Sequence, residues 1–325
     1  MLPAFAYARP GSLREALDLL KDAASAPLAG GTDLQGCMED GVARPARLVS
    51  LAAVPELRGL EVRPDGSLRI GAATPLAELA AHPAVRQRHA ALARAAASVG
   101  SPQLRNQGTL GGNLLQRPRC WYFRGDFPCA RKGGGTCYAQ DGRNARHAIL
   151  GGGRCVMVHP SDTAPALVAL DAVVQLAGPR GARRVPAGEL FVGPERDVRR
   201  ETVLAPGELL VEVLVPAAPP GARSGYDKAR ARGSFDFALV GAAVALVLRG
   251  RSVERARVVL GGVAPLPWRS RPAEQALEGR ALDEGSLAAA AEAAVAGADP
   301  LAENGYKVAM TRGIVQRLLA SLAAG

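Results

Sequence analysis

Aromatic residues and long apolar runs are scarce in this sequence. Phe, Trp and Tyr make up 4% of the 325 residues, although hydrophobic residues make up 48%. The most apolar run, residues 237–248, ends in an Arg-Gly-Arg stretch and is too short to cross a bilayer. The N-terminus lacks the basic segment and long apolar core of a secretory signal. We therefore expect a globular protein with no membrane span, in the cytoplasm by default.

Cysteines are also few, and their number is odd. A reducing compartment and an odd count of five argue against disulfides. The sequence has no Cys-x-x-Cys pair, so the usual spacing of a zinc ribbon is missing. Four thiolates can still hold one zinc ion or one [4Fe–4S] cluster, and spacing alone leaves both open. The four candidate ligands are Cys120, Cys129, Cys137 and Cys155.

The stretch around these cysteines is basic and aromatic. Residues 117–146 carry a net charge of +5, half of the +10 of the whole chain. Five of the thirteen aromatic residues also lie there, enough to shield a cluster from water. Positive charge would offset the negative charge of a thiolate-ligated cluster. The same features are compatible with a zinc-stabilised nucleic-acid-binding module, which stays open as an alternative.

Helix and strand patterns divide the chain into two parts. A Ser12-x-x-Glu15 capping box predicts a helix over 12–24. Asp65-Gly66 predicts a hairpin with a type I′ turn, and residues 156–160 are predicted to form a strand. A Pro/Gly-rich linker follows residue 215, and paired strands and three helical stretches come after it. The pattern indicates an α/β domain up to about residue 218 and a smaller α+β domain beyond it.

Two glycine loops are candidates for phosphate binding. Leu28-Ala29-Gly30-Gly31-Thr32-Asp33-Leu34 follows a predicted strand, and Gly108-Thr109-Leu110-Gly111-Gly112-Asn113 repeats the pairing of glycines with a hydroxyl. Glycines allow close backbone approach, and successive free amides form an anion-binding nest. Two such loops suggest a ligand with two phosphates held between them.

Taken together, these motifs resemble the FAD-binding subunits of the molybdenum hydroxylases, the xanthine dehydrogenase family. The resemblance covers essentially the whole chain and also includes His159-Pro160-Ser161-Asp162 and Gly261-Gly262-Val263-Ala264. The cysteine insert is similar to the branch whose FAD subunit carries an extra [4Fe–4S] cluster, which includes periplasmic aldehyde oxidoreductase and 4-hydroxybenzoyl-CoA reductase. "QLRNQ", "GGVAPLPWR" and "AENGYK" are more similar to the aldehyde-oxidising type.

The resemblance implies an α+β fold and a set of site residues. An FAD-binding domain over 1–218, with α/β subdomains 1–55 and 56–218 and a cysteine-rich insert at about 115–156, would precede a C-terminal domain of antiparallel strands and helices over 222–325. Cys120, Cys129, Cys137 and Cys155 would ligate the cluster. Asp162 would hold the ribityl or ribose region, Leu210 would lie near the flavin, and Lys228 would approach the isoalloxazine. The implied FAD-binding residues are Ala26, Pro27, Leu28, Ala29, Gly30, Gly31, Thr32, Asp33, Leu34, Thr109, Gly112, Asn113, Asp162, Leu210 and Lys228.

The resemblance further implies an oxidoreductase subunit of a heteromeric complex. A large subunit would hold the molybdenum cofactor, a small subunit would hold [2Fe–2S] clusters, and electrons would pass through the FAD to an external acceptor. No acid–base pair or nucleophile is assigned, because the flavin supplies the redox chemistry. No nucleic-acid partner is expected on this interpretation, and a partner subunit could carry the chain to the periplasm. A standalone flavin oxidoreductase with its own substrate site is the other alternative.

Overall fold

The first of three sheets is parallel and lies at the N-terminus. In this computed structural model, which describes residues 2–324, its strands have the order β1-β3-β2. Its elements in chain order are β1 (Ala6–Ala8), α1 (Leu13–Leu19), β2 (Ser25–Leu28), α2 (Leu34–Glu39) and β3 (Arg47–Ser50). The first glycine loop thus connects the carboxyl end of a parallel strand to a helix, where ligands of α/β proteins commonly bind.

Helix α1 begins as predicted and ends early. The Ser12 hydroxyl accepts a hydrogen bond from the Glu15 amide at 3.3 Å, which caps the helix. The helix was expected to continue to residue 24 but ends at Leu19. The Asp22 carboxylate accepts a bond from the Ala24 amide at 2.9 Å, and this local turn competes with the helix.

The second sheet is antiparallel throughout and has the order β4-β5-β8-β6-β7. Short helices, including those that carry the second glycine loop and the cysteine insert, lie between β5 and β6. The elements in chain order are β4 (Leu60–Val62), β5 (Leu68–Gly71), α3 (Leu76–Ala81), α4 (Pro83–Arg88), α5 (Ala90–Ala97), α6 (Pro102–Gln107), α7 (Leu110–Leu114), α8 (Trp121–Arg124), α9 (Thr163–Ala169), β6 (Val173–Gly178), β7 (Gly181–Pro186) and β8 (Leu209–Val215).

Strands β4 and β5 form the predicted hairpin, but its turn differs from the prediction. A type I′ turn needs positive φ at both central residues. Gly66 has φ +82°, whereas Asp65 is not among the residues with positive φ. The Arg63 amide donates to the Ser67 carbonyl at 2.9 Å, which leaves a three-residue loop with glycine in the left-handed position.

The third sheet, β12-β11-β10-β9, is antiparallel and lies between two hydrophobic cores. One face packs against the C-terminal helices, and the other packs against α5 and α9. Its elements are β9 (Ala222–Ala229), β10 (Val240–Arg249), β11 (Ser252–Gly261), β12 (Trp268–Arg269), α10 (Arg271–Leu277), α11 (Glu284–Ala293) and α12 (Tyr306–Ala323). The predicted α+β fold class is confirmed, whereas the domain boundaries at 55, 218 and 222 stay predictions.

The strand predicted over 156–160 is absent from the described chain. Its backbone bonds instead to two irregular segments: the Val156 carbonyl accepts from the Ala148 amide at 2.8 Å, and the His159 amide donates to the Ala264 carbonyl at 2.9 Å. The segment therefore joins the cysteine insert to the third sheet without entering a sheet itself. No helix within residues 2–324 is both long and apolar enough to span a membrane.

Candidate functional site

Both glycine loops border one large cavity of about 650 Å³. They also touch each other, because the Gln107 side-chain amide donates to the Gly30 carbonyl at 3.1 Å. A Cβ atom at Gly30 would lie 2.2 Å from the Gln107 carbonyl oxygen, so only glycine fits there. Gly31 has φ +73°, a conformation that also favours glycine. These contacts fix the separation of the two loops.

The first loop presents unpaired backbone amides. Gly30, Gly31, Thr32 and Asp33 donate no backbone hydrogen bond to any residue from 2 to 324. Consecutive free amides of this kind form a concave donor surface for anions. The loop therefore has the geometry that a diphosphate requires.

The second loop supplies a buried side-chain amide. Thr109 caps α7 by accepting from the Gly112 amide at 3.2 Å. The Asn113 Oδ1 atom accepts bonds from the Ser161 and Thr163 hydroxyls, each at 2.7 Å. The Asn113 Nδ2 atom has no partner within the described chain, so it is left as a free donor in a residue that lines the cavity.

Asp162 borders the same cavity, and both of its oxygens are engaged. One accepts from the Tyr226 hydroxyl at 2.7 Å, and the other pairs with the Lys228 ammonium at 2.7 Å. Burial raises the pKa of Asp162, and the nearby Lys228 opposes that rise. Lys228 also donates to the Ser98 carbonyl at 3.1 Å and does not line the cavity. Its approach to a flavin ring therefore stays a prediction.

The structure brings most of the predicted flavin residues to this one cavity. Leu28 and Lys228 lie outside its lining. The predicted residues that line it are Ala26, Pro27, Ala29, Gly30, Gly31, Thr32, Asp33, Leu34, Thr109, Gly112, Asn113, Asp162 and Leu210. Their individual roles toward the cofactor stay predictions.

Sequence reasoning missed a loop before β10 that also lines the cavity. Phe235 and Phe237 line it from the C-terminal part of the chain, and both are exposed. Phe235 adopts φ +55°, and the Arg119 guanidinium lies 5.0 Å from the Phe237 ring. Two phenylalanines two positions apart, in a chain so poor in aromatic residues, were the available signal.

Asp33 connects the flavin loop to the cysteine insert. Its carboxylate accepts from the Arg117 backbone amide at 2.7 Å. It also pairs with the Arg119 and Arg124 guanidiniums at 2.8 Å and 2.7 Å. The arginines that suggested a nucleic-acid surface are thus partly neutralised within the protein.

The four predicted ligand cysteines line one small cavity of about 20 Å³. All five cysteines of the chain are free thiols. Burial raises the pKa of Cys120 to about 11. The pKa of Cys155 is lowered, because the Cys137 thiol hydrogen-bonds to it and the Arg131 guanidinium lies beside it. The surroundings therefore favour negative charge on the Cys155 sulfur, whereas burial opposes it at Cys120.

Arg131 is buried at this cavity with donors to spare. Its Nη1 atom pairs with Glu201 at 2.9 Å. Its Nε and Nη2 atoms make no well-aligned hydrogen bond in the described chain, and the guanidinium lies beside the Cys155 sulfur. Unpaired buried donors are costly, so this guanidinium favours an anionic neighbour. Within residues 2–324, no group of three or more His, Cys, Asp or Glu side chains is arranged to hold a single metal ion.

Comparison with known protein families identifies the chain. Residues 3–218 match the model of the FAD binding domain in molybdopterin dehydrogenase. Residues 196–322 match the CO dehydrogenase flavoprotein C-terminal domain. The chain is a FAD-binding subunit of the molybdenum hydroxylase family. The sequence-based family prediction is thereby confirmed.

Individual relatives of the flavoprotein subunit cover its full length. It is 38% identical to the aldehyde oxidoreductase FAD-binding subunit PaoB of Escherichia coli K12, over 99% of both chains. It is 33% identical to the carbon monoxide dehydrogenase medium chain of Hydrogenophaga pseudoflava, over 98% of this chain and 96% of that one. These relatives are subunits of oxidoreductase complexes, and the prediction of an oxidoreductase subunit is confirmed.

Solved structures show the same fold. A carbon monoxide dehydrogenase chain from Hydrogenophaga pseudoflava superposes with a TM-score of 0.79 at 32% identity, over 100% of this chain and 99% of that one. Quinoline 2-oxidoreductase from Pseudomonas putida 86 gives the same TM-score and coverage at 27% identity.

Proposed function

We propose that this flavoprotein subunit carries electrons from a [2Fe–2S] subunit through FAD to an external acceptor. The observation that carries the proposal is the convergence of both glycine loops on one cavity. FAD, when bound, supplies the redox chemistry. The chain's own residues bind and orient it: free amides at residues 30–33 receive the diphosphate, and Asn113 donates from the second wall.

We propose that the substrate is oxidised on a partner subunit and that it is an aldehyde. Support comes from the full-length similarity to an aldehyde oxidoreductase FAD-binding subunit. The partners are a large subunit with the molybdenum cofactor and a small subunit with [2Fe–2S] clusters. Localisation in the cytoplasm, or in the periplasm together with a partner, stays a prediction.

We further propose that Cys120, Cys129, Cys137 and Cys155 hold a [4Fe–4S] cluster. Four thiols around one enclosed space are the donor set that such a cluster needs. The spare donors of Arg131 favour a negatively charged group in the same place. The donor set therefore fits the group in chemistry and in charge.

The arrangement of the thiols is less suited to a single zinc ion. Zn–S bonds of about 2.3 Å require tetrahedral sulfurs about 3.8 Å apart. No three of these cysteines in the described chain are placed to hold one metal ion, although the Cys137 and Cys155 thiols are hydrogen-bonded to each other. In a cluster each sulfur binds a different iron, so the sulfurs stand further apart. The cavity of about 20 Å³ has room for about one water molecule, so a cluster requires the thiols to move outward.

The alternatives identified from the sequence have less support. Four of the seven basic residues in 117–146 are engaged in ion pairs: Arg119 and Arg124 pair with Asp33, and Arg117 and Arg131 pair with Glu201. Such neutralised arginines are a weak basis for salt-dependent nucleic-acid binding. The relatives named as subunits or medium chains favour a complex over a standalone enzyme.

Cofactor analysis of the co-purified complex tests the whole proposal. We expect one FAD per copy of this chain and about four irons beyond those of the [2Fe–2S] subunit. Aldehyde oxidation should require the partner subunits, whereas this chain alone should show none. Zinc in place of the extra iron would contradict the cluster, and turnover by the isolated chain would contradict the electron-transfer role.

A further inference from the structure

A histidine that the FAD site does not use lies against one of the four cysteines. The His147 Nε2 atom is 3.2 Å from the Cys120 Sγ atom. The ring is buried and borders the cysteine cavity. A thiolate can only accept a hydrogen bond, so the contact with a ligated Cys120 is an N–H group on Nε2 donating to sulfur.

The position of this histidine is fixed from two directions. The Trp121 ring contacts the imidazole edge-on, with centroids 5.5 Å apart. The His147 carbonyl accepts from the Asn304 side-chain amide at 3.2 Å and from the Lys307 ammonium at 2.9 Å. Side chain and backbone are therefore both held.

Lys307 is a fully buried lysine; burial lowers its pKa to about 7, whereas its three carbonyl acceptors favour the charged form. Its ammonium donates to the carbonyls of Arg146, His147 and Gly262 at 3.1, 2.9 and 2.8 Å. An ammonium group has three donors, so three carbonyls satisfy it completely. This residue thus attaches the first turn of α12 to the end of the cysteine insert and to the turn after β11.

Glu303 adds a second attachment next to it. Its carboxylate accepts from the amides of Asn144 and Ala145 at 2.7 and 3.1 Å. Its own amide donates to the Asn144 side chain at 3.0 Å. Residues 303–307 therefore form a clamp on residues 144–148, and we call it the tail clamp.

We infer that His147 is a positioning residue that raises the reduction potential of the [4Fe–4S] cluster by donating a hydrogen bond to Cys120. This inference rests on the proposed cluster. One-electron reduction adds negative charge to the cluster and its thiolates, so an N–H donor at sulfur stabilises the reduced form more than the oxidised form. The tail clamp holds the backbone that carries the donor.

The test is a redox titration of the co-purified complex, followed by the low-temperature EPR signal of the reduced [4Fe–4S] centre. His147→Leu should lower the ratio of reduced to oxidised cluster about tenfold at a given potential, which is about 59 mV for a one-electron couple. In His147→Gln, the amide nitrogen can take the place of Nε2, so the reduction potential should return most of the way to the wild-type value. Lys307→Met should also lower the reduction potential, but by less than His147→Leu. His82→Leu, a histidine replacement far from the insert, is the matched control.

The outcomes separate this inference from the proposed function. A wild-type complex without the extra irons overturns the cluster and the inference with it. Four extra irons with an unchanged potential in His147→Leu overturn only the inference, as does a His147→Gln potential as low as that of His147→Leu. If His147→Leu assembles no cluster, His147→Asn, whose shorter amide cannot reach the sulfur, takes its place in the same comparison.

Discussion

The large cavity, where we propose that FAD binds and which we call the FAD cavity, and the cysteine cavity are shaped by different parts of the chain. Backbone contacts shape the FAD cavity: Gly30 lies against the Gln107 carbonyl, and a Cβ at Gly111 would lie 3.0 Å from the Ala72 carbonyl oxygen. Side chains shape the cysteine cavity, which is enclosed by thiols, aromatic rings and the buried Arg131. Their volumes, about 650 and about 20 Å³, differ accordingly.

Because of this difference, the two regions should depend on their bound groups to different extents. A cavity set by backbone contacts keeps its shape when it is empty, so FAD enters a largely preformed site. In the cysteine cavity, two guanidinium nitrogens of Arg131 lack a well-aligned acceptor and the guanidinium lies beside the Cys155 sulfur, so an anionic group there would stabilise the insert. We therefore expect the insert to depend on its bound group more strongly than the glycine loops depend on FAD.

The largest expected effect comes from Cys129→Ser. Removing one thiol ligand should abolish the about four extra irons per copy while FAD remains bound. Iron and flavin analysis of the purified complex measures both. Cys37→Ser is the matched control, because Cys37 lies outside the cysteine cavity and its replacement should leave the iron content unchanged. Loss of FAD together with iron would mean that the insert holds the whole fold.

Gly30→Ala should have the opposite effect to Cys129→Ser: FAD binding should weaken while the iron stays. A methyl group 2.2 Å from a backbone oxygen forces the two loops apart, and such overpacking costs about 1–3 kcal/mol. We expect FAD affinity to fall about 5- to 150-fold, measured by flavin titration of the deflavinated complex, with the iron retained. Gly135→Ala, at a position with open space around it, should bind FAD normally. An unchanged FAD affinity in Gly30→Ala would contradict the claim that backbone contacts set the shape of this cavity.

The glycine loops were predictable because backbone geometry restricts the residue type locally. Close approach at Gly30 and positive φ at Gly31 leave a mark in the sequence itself. The hairpin at Asp65-Gly66 was predictable for the same reason, although its turn type was not. That turn type depends on the φ of Asp65, a residue that can adopt either sign.

Contacts between distant segments left no such mark. The tail clamp joins Glu303 and Lys307 to residues 144–148, and only the tertiary fold brings these segments together. Phe235 and Phe237 reach the FAD cavity from a loop before β10 for the same reason. Cysteine spacing identified which four thiols meet, but spacing does not determine how far apart their sulfurs lie.

His89 lies outside both regions, and its own contribution to stability at acid pH has to be removed before the two regions can be compared. Burial lowers the pKa of His89 to about 4, whereas an unfolded histidine titrates near 6.5. Because the unfolded chain binds this proton more tightly, stability is full above pH 6.5 and is lost as pH falls toward 4. The loss is about 3 kcal/mol at most. His89→Leu should flatten the fall of the urea midpoint between pH 7 and pH 5, and an unchanged slope would assign the acid sensitivity elsewhere.

The smallest expected effect concerns Asp33, which joins the two regions. Asp33→Asn keeps an oxygen for the Arg117 amide but removes the countercharge of Arg119 and Arg124. We expect the complex to keep both FAD and iron but to lose about 1–2 kcal/mol of stability, seen as a lower urea midpoint. Asp40→Asn is the matched control, since Asp40 pairs with the same Arg124 at 3.4 Å but is more exposed and should matter less. If both variants lose the same stability, Asp33 is one surface charge among others, and the flavin loop and the insert are held together by the packing around them.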